Sequence, residues 1–144
     1  MLLMFTVFGC VVALDQGSKA LVSSRLREGA ATAGTIAGVR LRLVVNRRDP
    51  WRSSRGVLDL TIGLLLLVIA GTAIAAATDL GWAHLAIGAG IGGATGNLID
   101  GIQRRAVTDF IDLRVWPVFN LADAAIVGGA LMTAWKVIQA VQAG

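Results

Sequence analysis

The chain has 144 residues, 56% of them hydrophobic and only 15% charged, with a mean hydropathy of +0.73. A water-exposed domain carries about 25% charged residues, so this composition excludes an ordinary soluble globule and points to lipid as the solvent. The net charge of +4 is carried mostly by arginine, and on so apolar a chain its counter-surface is anionic lipid headgroup, not nucleic acid.

Taken in order, the chain opens with an unbroken apolar run to Leu14, and about 2–23 reads as a first transmembrane helix. The run lacks a basic leading segment, and apolar residues continue past Cys10, the one cysteine, so a cleaved signal peptide is not expected. Asp15 and Lys19 stand four apart with the acid first, the favourable order on a helix. An internal salt bridge near the membrane edge is the expected result. From Arg25 to Arg55 the chain turns polar and holds eight of the thirteen basic residues. Within it, Val39, Leu41, Leu43 and Val45 alternate with arginines, the period of a half-buried strand. Such a strand suits either a segment lying across headgroups or a solvated sheet edge.

A second span is expected at about 57–78 and a third at about 80–99, joined tightly through Asp79-Leu80-Gly81. The third carries Gly88, Gly92 and Gly96 on one stripe, the usual device for close helix approach in lipid. Trp51, Trp82 and Trp116 are placed like interfacial anchors. His84 is the only histidine and has no companion at ligand spacing, so neither a metal nor another cofactor is expected. Val107 to Val115 alternates again, Trp116-Pro117 ends it, and a fourth span follows at about 120–142. The fold class is thus an all-α membrane protein: four transmembrane helices in one domain over 1–144, with a small β-like element, acting as a monomer. The two polar loops are separated by two spans and share one side of the membrane.

Between Gly92 and Asp123 lie Asp100, Asp109, Asp112 and Asp123 with the amides Asn97 and Asn120. Carboxylates cost about 2.5–3.5 kcal/mol or more within a membrane span, so each needs a partner or a task. Asp109 and Asp123 fall on the shared side, fourteen residues apart. Brought together, they would share a proton and activate water without metal or covalent intermediate. The same residues also fit helix capping: Asn120 as N-cap, Asp123 as the capping-box acid, Asn97 and Asp100 as satisfiers of a helix end. The two roles are compatible.

Leu14-Asp15-Gln16-Gly17-Ser18-Lys19, Gly92-Gly93-Ala94-Thr95-Gly96-Asn97-Leu98-Ile99-Asp100, Val107-Thr108-Asp109-Phe110-Ile111-Asp112 and Phe119-Asn120-Leu121-Ala122-Asp123, in this order, resemble the lipoprotein signal peptidase (signal peptidase II) family. The resemblance implies a bacterial aspartic endopeptidase of the cytoplasmic membrane, with Asp109 and Asp123 as its catalytic dyad. It implies substrate positioning by Asn46, Asn97, Asp100 and Asn120, and structural support from Asp15 and Lys19. The implied partners are membrane lipids and a prolipoprotein lipidated on its lipobox cysteine, cut just before that cysteine. The dyad and the β-like element would then face outward, although loop arginines usually favour the cytoplasmic side. Three positions depart from the family pattern: the segment after Asn46 (Arg47-Arg48-Asp49-Pro50-Trp51), Gly101 where an arginine is usual, and Arg105 where a glycine is usual. A retuned or inactive paralogue, and a non-enzymatic assembly or transport subunit, are the competing readings.

Overall fold

The computed structural model describes residues 2–32, 39–47 and 81–143. The span expected at 57–78, Trp51 and the segment following Arg47 lie outside these residues. The described elements are α1 (Leu2–Arg25), β1 (Arg40–Asn46), α2 (Trp82–Arg104), β2 (Val107–Asp112) and α3 (Leu121–Ala143).

Polarity is distributed inside out. On α1, Leu2, Phe5, Leu14 and Leu21 are exposed, while Asp15 and Lys19 have no exposed surface. Along α3, Leu131, Trp135, Ile138 and Val141 are exposed, and Thr133 is buried. In water this arrangement would be costly. In lipid it is the stable one, because apolar surface is free to face acyl chains and polar groups must find partners inside. Among the described residues, α1 and α3 are the helices long and apolar enough to cross a membrane. At about 1.5 Å per residue, the 24 residues of α1 reach about 36 Å.

The expected third span corresponds to α2, whose glycines, His84 and Asn97 dilute its apolar character. Helix α2 packs between α1 and α3. Its glycines set the spacing. A Cβ at Gly88 or Gly92 would press on Val7 or Val11 of α1, and one at Gly93 would run into the Ala122 carbonyl of α3. Close approach of backbones is the main source of packing energy available where lipid is as apolar as the side chains.

Helix α2 also runs a turn further than the sequence suggests. The expected end at residue 99 and the basic turn after Asp100 are instead helix through Arg104, and Arg105 closes it in the left-handed region at φ 52°. Arg104 Nη1 reaches back one turn to Asp100 Oδ1 at 2.6 Å, so the carboxylate anchors the extra turn. Asn97 and Asp100 therefore lie inside the helix and do not satisfy its end.

The β-like element is a two-stranded antiparallel sheet that joins the two polar loops, with Arg40 opposite Asp112 and Asn46 opposite Val107. Its register shifts between Leu41 and Val44, which interrupts the expected alternation. Leu43 is 4% exposed, whereas Leu41, expected on the same face, is 38% exposed. Leu43, Phe110 and Val22 form a small core with Leu26 and Leu121, which fixes the sheet to the ends of α1 and α3. Phe119 extends the pairing, accepting from Ile111 N at 2.7 Å and donating back at 3.1 Å. The chain thus enters α3 directly beside β2.

Candidate active site

The N-terminus of α3 is a reciprocal cap. Asn120 Oδ1 accepts from Asp123 N at 2.9 Å, and Asp123 Oδ2 accepts from Asn120 N at 3.2 Å. This satisfies two backbone donors that a helix start leaves unpaired. One oxygen of Asp123 remains, and Asn97 Nδ2 of α2 donates to it at 2.8 Å. The half-buried Asp123 carboxylate therefore accepts one hydrogen bond on each oxygen.

Asp109 arrives from β2. It is 8% exposed, opposite Val44 in the sheet, and its Oδ1 accepts from Asn120 Nδ2 at 2.9 Å. The Asn120 amide also lies 3.0 Å from Asn97 Oδ1 and 3.3 Å from the Thr108 carbonyl, three acceptors for two hydrogens. Burial, and then the negative charge of Asp123, push the Asp109 carboxyl up from 3.8 to about 7; the Asn120 hydrogen bond and the Lys19 charge pull the other way. Asp109 therefore keeps its proton to a higher pH than an ordinary carboxyl does. Two acids with such different surroundings have the asymmetry that general acid–base chemistry requires.

A second cluster supports the first. Lys19 Nζ lies 2.7 Å from Asp15 Oδ2 and 3.1 Å from Asp100 Oδ2, and it donates to Asn97 Oδ1 at 3.1 Å. Gln16 Nε2 bridges Asp15, the Gly96 carbonyl and Asp100 at 3.0–3.3 Å. Asp15 Oδ1 accepts from Ala122 N at 3.0 Å, and Asp100 Oδ2 from Thr108 N at 3.1 Å. Two carboxylates, Lys19 and Arg104 balance in charge, which is the condition for tolerable burial. Removing one member of such a group costs about 3–5 kcal/mol. The expected membrane-edge pair is therefore part of a network that spans α1, α2, β2 and α3.

The structure brings Asn97, Asp109, Asn120 and Asp123 together and places Asp15, Lys19 and Asp100 in the cluster joined to them. Asp100 has no exposed surface. Its contact with the site runs through the Thr108 backbone, one residue before Asp109. Asn46 is apart: it ends β1, exposed, and among the described residues it makes no side-chain hydrogen bond to the cluster. His84 is half-buried in the first turn of α2. Among the described residues no three His, Cys, Asp or Glu side chains converge as metal ligands would. Gln16 and Arg104 are the network members that spacing did not single out; both stand one helical turn or less from an acid they bind.

Beside Asp123 runs an apolar groove of about 420 Å³, walled by Trp116, Phe119, Val127 and Leu131; among the described residues Asp123 is its one ionisable lining residue.

A helical bundle with buried charge and a lipid-compatible exterior is a membrane-protein fold, and solved structures agree. Two bacterial membrane enzymes determined by the in meso method superpose with TM-scores of 0.71 and 0.73 at 21% and 23% identity. They cover 93% and 94% of this chain, and 91% and 87% of their own chains are covered. The profile of the family described as signal peptidase (SPase) II matches residues 7–139. The chain belongs to that family. Lipoprotein signal peptidases similar to it include that of Pelotomaculum thermopropionicum, 31% identical over 94% of this chain and 91% of that one. Another, from Halothermothrix orenii, is 35% identical over 90% and 91% of the two chains.

Proposed function

We propose that this protein is an aspartic endopeptidase of the bacterial cytoplasmic membrane. It removes the signal peptide from diacylglyceryl-modified prolipoproteins, cutting just before the lipidated cysteine. Family membership supports the substrate class. The observation that carries the mechanism is that one residue, Asn120, binds both acids, Asp109 through its side chain and Asp123 through its backbone.

In this mechanism Asp123, which accepts on both oxygens, is the base, and the buried Asp109 is the acid. A water attacks the scissile carbonyl carbon, gives one proton to Asp123, and the carbonyl oxygen takes the Asp109 proton. The resulting gem-diol collapses: the C–N bond breaks, the proton on Asp123 moves to the leaving amine, and one diol proton returns to Asp109. The products are a peptide acid and a free amine on the cysteine, with both acids restored. Asn97 and Asn120 orient the pair, while Asp100 positions Asp109 through the Thr108 backbone. The apolar groove beside Asp123 takes an acyl chain, so the covalent lipid holds the bond in place and supplies much of the proximity effect. The enzyme acts as a monomer with the dyad at the outer membrane face, where lipidated precursors emerge.

The test is cleavage of a diacylglyceryl-modified lipobox peptide by the detergent-purified protein. Wild type is expected to cut it, and Asp109→Asn and Asp123→Asn are each expected to abolish cleavage. Persistent cleavage in either variant would overturn the dyad, and an inert wild type would overturn the peptidase reading.

A further inference from the structure

Asp15, Lys19 and Asp100 have no exposed surface, yet one amide side chain, Asn97, bonds both to this cluster and to Asp123. Asn97 Oδ1 faces the Lys19 ammonium at 3.1 Å, and Asn97 Nδ2 faces Asp123 Oδ1 at 2.8 Å. An amide has two orientations, and here the cation admits one. Turned over, Asn97 would point its NH2 at an ammonium that has only donors, and its oxygen at a carboxylate that only accepts when ionised. Lys19 is itself kept in place by Asp15 and Asp100. Asn120 strengthens the same orientation, because its Nδ2 also donates to Asn97 Oδ1 at 3.0 Å.

The chain of donors has a direction: Lys19 to Asn97, and Asn97 to Asp123. It ends on the acid that already accepts from the Asn120 backbone, and among the described residues it leaves the Asp109 carboxyl with the shared Asn120 amide. We propose that Lys19 is a positioning residue which, by fixing the Asn97 amide, keeps the Asp109–Asp123 pair in its one-proton state, with Asp123 as the acceptor and Asp109 as the proton carrier. This rests on the dyad reading above but concerns its protonation, not its substrate. Among the described residues, the charged groups around the pair are Asp15 and Lys19 from α1 and Asp100 and Arg104 from α2. From β1, Arg40 and Arg42 act on Asp112 instead. Of these, Lys19 is the cation whose charge acts on Asp109, and burial together with Asp123 raises that acid to about 7. Without Lys19 and the oriented amide, the pair loses two of the contacts that oppose uptake of a second proton, and a doubly protonated pair has no base.

The test counts protons on the pair. The infrared carbonyl band of protonated carboxyl groups is titrated in the detergent-solubilised full chain, with the Asp109→Asn/Asp123→Asn double variant as the subtraction reference. At about pH 6, above the ordinary carboxylate range, wild type is expected to show one proton per pair. Two variants remove the device: Asp15→Asn/Lys19→Met, which deletes the cation together with a partner so that no new charge is buried alone, and Asn97→Leu, which keeps the ion pairs of Lys19 with Asp15 and Asp100. In both, uptake of the second proton is expected to move up by about one pH unit, through the lost cation in the first and the lost hydrogen bond to the Asp123 carboxylate in the second. With the lipobox peptide, the acidic limb of kcat moves by the same amount while KM is unchanged.

A purely structural Lys19 would lower the amount of folded protein without moving the titration. An unmoved titration in Asn97→Leu, which does not depend on the Lys19 cluster refolding, overturns the inference. If the titration moves but Asp109→Asn still cleaves peptide, the inference stands and the peptidase mechanism fails.

Discussion

Asn120 holds Asp109 across a strand-to-helix junction, its side-chain Nδ2 2.9 Å from Asp109 Oδ1, while its side-chain Oδ1 accepts from Asp123 N and caps α3. The two duties can be separated. Asn120→Asp keeps the capping oxygen and loses the donor, whereas Asn120→Ala loses both. Both variants are expected to lower kcat by about 10–100-fold, the range for one hydrogen bond to a charged group. Only Asn120→Ala is expected to lose about 1 kcal/mol of cap stability as well. Peptide cleavage and thermal unfolding, measured side by side, check the pair.

The raised Asp109 carboxyl has a consequence for stability. Its value is 3.8 when unfolded and about 7 when folded, so the native state binds the extra proton between these limits. Native stability from this group is complete below about pH 4, falls by about 1.4 kcal/mol per pH unit and is lost above about pH 7. Asp109→Asn keeps an acceptor for the Asn120 amide and never ionises. Its melting temperature is therefore expected to gain on wild type as pH rises from about 4 to 7 and to level off beyond. A difference that stays flat with pH would show that Asp109 titrates normally.

Helix packing gives a contrast between two glycines of α2. Gly93→Ala puts a methyl against the Ala122 carbonyl and Ile126, and is expected to cost about 1–3 kcal/mol and to displace α3. Gly101→Ala meets nothing within 4 Å and is expected to be neutral or to stabilise by up to about 1 kcal/mol through helix propensity. Thermal unfolding in detergent reads both.

Groove occupancy is tested at Gly128, which lines the apolar groove and where an added Cβ meets open space. Gly128→Leu is expected to raise KM for the diacylglyceryl peptide severalfold with kcat and melting temperature little changed. An unchanged KM would place the acyl chain elsewhere.

Asn97 and Asp100 show where reading the chain by itself stops. Spaced like Asn120 and Asp123, they suit a helix end. Only the bond between Arg104 and Asp100 reveals that the helix continues and that both face inward. Leu41 teaches the same lesson for the sheet, since alternation assigns it to Leu43's face and a register shift that no local pattern encodes turns it outward.

The order of residues along the chain settled the solvent and the apolar segments that become α1, α2 and α3. Those follow from composition and from local periodicity, which act within a few residues. Which hydrogen-bond donor serves which acid was decided by folding alone. Contacts such as Lys19 to Asn97 and Asp15 to Ala122 link residues 78 and 107 positions apart, and only helices packed through their glycines bring such groups within bonding distance.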